Sequence, residues 1–159
     1  MYITRAEYAE LYDEMDEKVF LRLAKDAFRV MDIHTSGVDN VKKLKAFFPE
    51  DENDVESIKH CAAKLINTME QVQKAETAVS GFESTDYGVR SKVISSISAG
   101  NESISYATGS TSAVDEAAKD ITARSKLYSN IVCEYLRGVS DKNGVSLLYK
   151  GAYPRRFLC

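Results

Sequence analysis

Few side chains in this sequence have the type and spacing that metal or nucleophilic chemistry needs. The two histidines, His34 and His60, are far apart. His60 is followed directly by Cys61, and adjacent residues on a helix point about 100° apart, which suits chelation poorly. No CxxC, HxxxH or CxxH spacing occurs, whereas zinc sites usually show closely spaced pairs of this kind. The expectation is an exposed His60 and a core Cys61. Cys133 falls on an apolar stripe, where a free thiol behaves as a small hydrophobe. Cys159 is the last residue and not the fourth-from-last cysteine that prenylation requires, so no prenyl group is expected on it. Acids gather at Asp13, Glu14, Asp16 and Glu17, and again in "PEDENDVE", where they feed a helix N-terminus and meet its dipole favourably. Neither cluster, nor "DKNG", has the alternating acids and central glycine of a calcium loop. The phosphate-binding and nucleophile motifs GxxxxGK[ST], GxGxxG and GxSxG are missing. "GNESISYATGSTS" offers glycines and hydroxyls but neither a lysine nor a strand–loop–helix context. No catalytic residue, metal ligand or cofactor site is expected, and the chain reads as a non-enzyme. An enzyme without a recognised motif stays open as a third possibility, and converging ionisable residues in a pocket would revive it.

The 159 residues suffice for a single domain with a real core, and 44% hydrophobic with 28% charged residues is ordinary for a globular protein. A net charge of -3 is not the clustered cationic footprint that free nucleic acid requires. No apolar run approaches the roughly 20 residues needed to cross a membrane. The acidic opening "MYITRAEYAELYDEMDE" lacks the apolar segment of a signal peptide. Three widely spaced cysteines, an odd number, favour a reducing compartment over a disulfide framework.

The elements are legible from caps and periodicity. Thr4 with Glu7 forms a capping-box pattern ahead of a short helix over 5–13. Val19, Phe20, Leu23, Ala24, Ala27, Phe28 and Met31 make one apolar stripe, with Asp16 as N-cap and Gly37 as stop. A short helical turn over 40–47 should end before Pro49. Asp51 or Asn53 caps the next helix, whose stripe runs through Val55, Ile58, Cys61, Ala62, Leu65, Ile66, Met69 and Val72 to about Ala78. Residues 80–92 read as loop. After residue 111 a third stripe, Val114, Ala117, Ala118, Ile121, Leu127, Tyr128, Ile131, Val132, Tyr135 and Leu136, implies one long helix closed by Gly138. The fold class is therefore mostly α: a small bundle of three long helices and one or two short ones, with one inserted β-hairpin. Residues 1–159 form one domain, 91–111 the insertion and 139–159 a C-terminal tail that begins with an Asp-Lys-Asn-Gly turn.

The insertion, "SKVISSISAGNESISYATGST", is unlike the rest of the chain. Its strands are expected over 92–98 and 103–108, with Val93 and Ile97 on one face of the first and Ile104 and Tyr106 on one face of the second. Burial specifies such a register weakly, and an isolated two-stranded hairpin is marginal in water. Only Glu102 guards its edges against pairing with another chain. The hairpin must pack on its own bundle or be completed by a neighbour. Tyr is frequent, with nine residues, and Tyr106, Tyr128, Tyr135, Tyr149 and Tyr153 all lie in the second half. Tyrosine suits interfaces because it joins rigid apolar area to a polar tip.

The order of these pieces resembles head–tail connector proteins of long-tailed phages and prophages, also called adaptor or head-completion proteins. "MYITRAEYAELY" is similar to their tyrosine-containing opening helix. Phe20-Leu21-Arg22-Leu23, Ala27 and Met31-Asp32 follow an "FxRLxxxAxxxID" pattern. "SSISAGNESISY" is similar to a Ser-rich hairpin, and "YLRGVSDKNGVSLLYKGA", Tyr135 to Ala152, to a closing "YLxGxGLLYRG" element. The stretch from Gly138 to Leu147 is longer here than in that compact form. The likeness covers most of the chain and implies a non-enzymatic virion protein at the neck, made in the bacterial cytoplasm. It would form a homo-oligomeric ring of about twelve subunits between the portal and the tail-side stopper protein. Genomic DNA would pass through the channel without sequence-specific binding, and no membrane is involved. It also implies that the hairpin and the C-terminal segment make neighbour and portal contacts, through Val93, Ile97, Ile104, Tyr106, Leu148, Tyr149, Tyr153, Arg155 and Arg156. The alternative is a small helical regulatory or protein-binding module acting through its hairpin.

Overall fold

The computed structural model describes residues 1–79 and 112–154, together with the backbone runs 83–85, 88–90, 96–99 and 102–105. The described residues are mostly helical: α1 (Arg5–Leu11), α2 (Glu17–Thr35), α3 (Lys43–Ala46), α4 (Glu52–Val79), α5 (Ala113–Lys119) and α6 (Ile121–Tyr135). The chain divides into two compact units, one formed by Met1–Met69 with Tyr128–Cys159 and the other by Glu70–Leu127.

In the first unit, local signals set the helix starts. The Thr4 hydroxyl accepts from the Glu7 amide at 3.3 Å, while the Glu7 carboxylate takes the Thr4 amide at 2.7 Å. Asp16 caps α2 by accepting from Lys18 and Val19. Asp51 does the same for α4, accepting from Asn53 and Asp54. Each such cap satisfies amides that would otherwise lack a partner, worth about 1 kcal/mol. The apolar stripes are then buried. Phe20, Leu23, Ala24, Ala27 and Met31 of α2 are buried, as are Ile58, Cys61, Ala62, Leu65 and Ile66 of α4. Tyr8 of α1 is buried too and tilts its ring against Phe20, with centroids 5.6 Å apart. Each fully buried Leu, Ile or Phe contributes on the order of 2 kcal/mol.

Helix α2 stops at Thr35, with Ser36 extended as C-cap. The Thr35 and Ser36 hydroxyls bond back to the Met31 and Asp32 carbonyls. Gly37, expected as the stop, is needed for a different reason. A Cβ there would lie 2.3 Å from the Gly151 carbonyl oxygen, so two backbones approach too closely for any side chain.

Two expectations need correction. The third stripe is not one helix, because α5 ends at Lys119 and its C-cap Asp120 has an extended backbone (φ -129°, ψ 126°). Asp120 then caps α6, accepting from Thr122 at 2.9 Å and Ala123 at 3.3 Å. Its short carboxylate competes with the helical ladder for those amides and wins. Ile121, at the new N-terminus, is consequently 79% exposed rather than part of a buried stripe. Cys133 is also exposed. The buried positions beside it are Ile131, Val132 and Leu136, and one further residue of helical rotation carries Cys133 outward.

In the second unit, Arg124 holds the break in place. Its guanidinium donates to the Ala117 and Ala118 carbonyls at the end of α5 and pairs with Glu76 of α4. Ser112 and Asp115 form a capping box at the start of α5. Between α4 and α5, β1 (Glu83–Thr85) pairs antiparallel with β2 (Gly88–Arg90) inside the stretch expected as loop. Likewise β3 (Ser96–Ala99) pairs with β4 (Glu102–Ser105), in a register that sets Ile97 opposite Ile104. The hairpin expected over 91–111 lies for most of its length outside the described residues.

Candidate interaction surfaces

The residues expected to form a C-terminal tail are folded into the first unit as far as Pro154. Their anchor is Lys43, a fully buried lysine on α3. Its ammonium donates to the carbonyls of Ser146, Leu147 and Tyr149, at 3.0, 2.9 and 2.5 Å. Three donors meet three acceptors, so the charge is solvated by backbone instead of water. Burial lowers the Lys43 pKa, with nearby Asp141 acting in the opposite sense.

A second set of bonds closes the other side of this segment. Asp141 is buried and accepts the Tyr153 hydroxyl at 2.5 Å. It also accepts the amides of Asn143 and Val145, each at 2.9 Å, shaping the turn at Gly144, whose φ of +76° favours glycine. The Tyr153 ring stacks on Phe47 with centroids 4.5 Å apart. Its amide donates to Asp39 at 2.6 Å, the main reason the Asp39 pKa is lowered. Burial, followed by the bond to Asp141, pushes the Tyr153 phenol up to about 12.

These contacts relocate the expected interface residues. Tyr153 is only 2% exposed, and both its ring and its hydroxyl are used inside the chain, which removes it from an outer contact surface. Leu148 is half-buried and Tyr149 is 49% exposed. The side chains of Val93, Ile97, Ile104, Tyr106, Arg155 and Arg156 lie outside the described residues. Thus nothing described brings the C-terminal set and the hairpin set together.

Two concave surfaces lie on the first unit, formed by charges that read in the sequence as solvated helix faces. One is a cleft of 1380 Å³ along α2 and α3. Arg22, Lys25, Arg29, Lys42 and Lys45 line it, with Tyr2, Phe28, Ile33 and Phe48 supplying apolar surface. Asp26 and Asp32 are its carboxylates, and Asp32 is already committed. It is buried, accepts the Tyr2 hydroxyl at 2.5 Å and pairs with Lys45 at 2.7 Å. Burial and the Asp32 contact both raise the Tyr2 pKa, keeping that phenol protonated.

The other surface is a groove of 450 Å³ between α1 and the start of α4. Its charges are Glu7, Glu10, Glu50, Glu52 and Glu56 against Lys59, with His60 beside them, over an apolar floor that includes Ile3, Leu11 and Val55. Glu7 pairs with Lys59 at 2.5 Å, and that bond, with those from Thr4, holds its carboxyl at about 2. Among the described residues no three His, Cys, Asp or Glu side chains are grouped as a metal site. Also among them, no helix is long and apolar enough to cross a membrane. Compared with known protein families, with curated proteins and with solved structures, the chain matches none.

Proposed function

We propose that this chain is a subunit of a head–tail connector ring, sitting between portal and tail and extending the DNA channel of a virion. What carries the reading is the order of the motifs, together with where they fall in the fold. Of the residues that carry the α2 resemblance, Phe20, Leu23, Ala27, Met31 and Asp32 are buried in the first unit, while Leu21 and Arg22 are exposed. Leu136 and Leu147 from the closing motif are buried in that same unit. Other positions of the same motifs, Arg22, Tyr149 and Lys150 among them, are exposed, so the likeness includes both core and surface residues. In this reading the insertion is a hairpin completed by a neighbouring subunit, supported by the Ile97–Ile104 register and by the marginal stability of a lone hairpin. Tyr149 remains available for a portal contact, and the net charge of -3 suits a conduit that must release DNA. Electron microscopy of intact particles, with the protein labelled, tests the proposal. Density at the portal–tail junction is expected; a protein missing from the neck and recovered with a soluble non-virion partner would establish the binding-module alternative.

A further inference from the structure

We infer that the α2–α3 cleft is a binding site for a small polyanion, a ligand that carries two or three linked phosphates. Its cations come from two elements. On α2, Arg22, Lys25 and Arg29 stand at i, i+3 and i+7, so they share one helix face in a row roughly 10 Å long. Lys42 and Lys45 come from α3 and its N-cap. Of the two carboxylates, Asp32 does not oppose an anion. It is buried, accepts the Tyr2 hydroxyl at 2.5 Å and pairs with Lys45 at 2.7 Å. With that pair cancelled, Arg22, Lys25, Arg29 and Lys42 stand against Asp26 alone, an excess of three positive charges. Arginine's planar fork matches phosphate oxygens in pairs, and lysine adds a flexible point charge. Half-buried Phe28 and Phe48 and exposed Ile33 place apolar area beside the cations, where the organic part of a phosphorylated ligand can rest.

The charge balance also selects a short polyanion over a long one. The chain's net charge is -3 and the cleft's is +3, so the remaining residues total -6. A nucleic-acid strand running out of the cleft meets that excess of carboxylates, whereas a ligand contained in 1380 Å³ does not. The inference concerns the chain by itself and is independent of the connector reading.

Calorimetric titration of the full-length chain with inorganic triphosphate tests it. At low salt one triphosphate per chain should bind saturably, at least about tenfold more tightly than orthophosphate, which reaches fewer of the cations. Raising the salt to about 0.5 M should weaken binding about tenfold or more, through screening of exposed charges. Lys25→Ala and Arg29→Ala should each cost about tenfold. Arg137→Ala removes an exposed cation of the same unit outside the cleft and should change nothing. All three positions are exposed, and circular dichroism confirms that the variants fold. A nucleoside triphosphate separates two sources of the same chemistry. Tighter binding than inorganic triphosphate supports a nucleotide whose base uses the apolar wall, and equal binding supports a ligand held through its phosphates alone. No saturable binding of either triphosphate overturns the inference, as does an equal loss in all three variants. A single-stranded oligonucleotide that binds more tightly than both triphosphates overturns it too, because the cleft would then belong to a strand track. None of these results bears on location at the neck, which decides the connector reading.

Discussion

Among the described residues, the two compact units are held by different means. In the first, apolar stripes from α1, α2 and α4 are supplemented by saturated polar anchors: Asp32 under Tyr2 and Lys45, Lys43 under three carbonyls, and Asp141 under Tyr153. In the second, Val72 and Ala117 are the buried hydrophobic residues among those described, and Ile121 is largely exposed. Its described order comes mainly from caps at Ser112 and Asp120 and from the Arg124 fork. A buried polar anchor with every partner satisfied specifies one arrangement and is costly to break. Exposed caps and surface ion pairs are worth much less. The same kind of contact should thus matter unequally in the two units.

Lys43→Met should be the largest breach. It keeps most of the side-chain volume but strips the donor from the Ser146, Leu147 and Tyr149 carbonyls, costing about 2–4 kcal/mol. Urea denaturation measures the loss, and limited proteolysis should show new cleavage within 139–154; wild-type stability would mean that water replaces the ammonium easily. Gly37→Ala comes next, at about 1–3 kcal/mol, because the new methyl meets a backbone oxygen that cannot rotate away. Thermal unfolding reads it directly. In the second unit, Arg124→Ala should cost about 1 kcal/mol or less. Amide exchange should quicken at the end of α5 and leave the first unit's core untouched; a loss comparable to that of Lys43→Met would erase the contrast between the units.

The smallest effect is a pH dependence. The Glu7 carboxyl falls from 4.5 to about 2 on folding, so its contribution is complete above pH 4.5 and fades as pH drops towards 2. Because Glu7 is partly exposed, the contribution is modest. Comparing the wild type with Glu7→Gln between pH 6 and pH 3 should show curves that converge on acidification.

What the sequence made legible was local. Thr4, Asp16 and Asp51 cap helices through amides two or three positions away, so their signals sit within one turn. The buried stripes of α2 and α4 follow from periodicity for the same reason. The break at Asp120 is masked by hydrophobic spacing that continues across it, and only the Asp ahead of "IT" marks a new helix start there. Lys43 could not be found. A lysine in "KKLKAFF" reads as surface, and its partners are backbone carbonyls more than a hundred residues away, which no residue type announces. The cleft and the groove were hidden in a similar way. Their charges come from separate helices, and only the fold gathers each sign onto one surface.

The Lys43 anchor also imposes a timetable. Its acceptors lie 103 to 106 positions downstream. Bringing such distant segments together carries a loop-closure cost and belongs to the slow end of folding. On the ribosome, α3 must wait with its ammonium in water until residues 146–149 have been made. By then α1, α2 and α4 are all available to pack. The first unit is therefore completed by docking a late strip of backbone onto a side chain that was synthesised early.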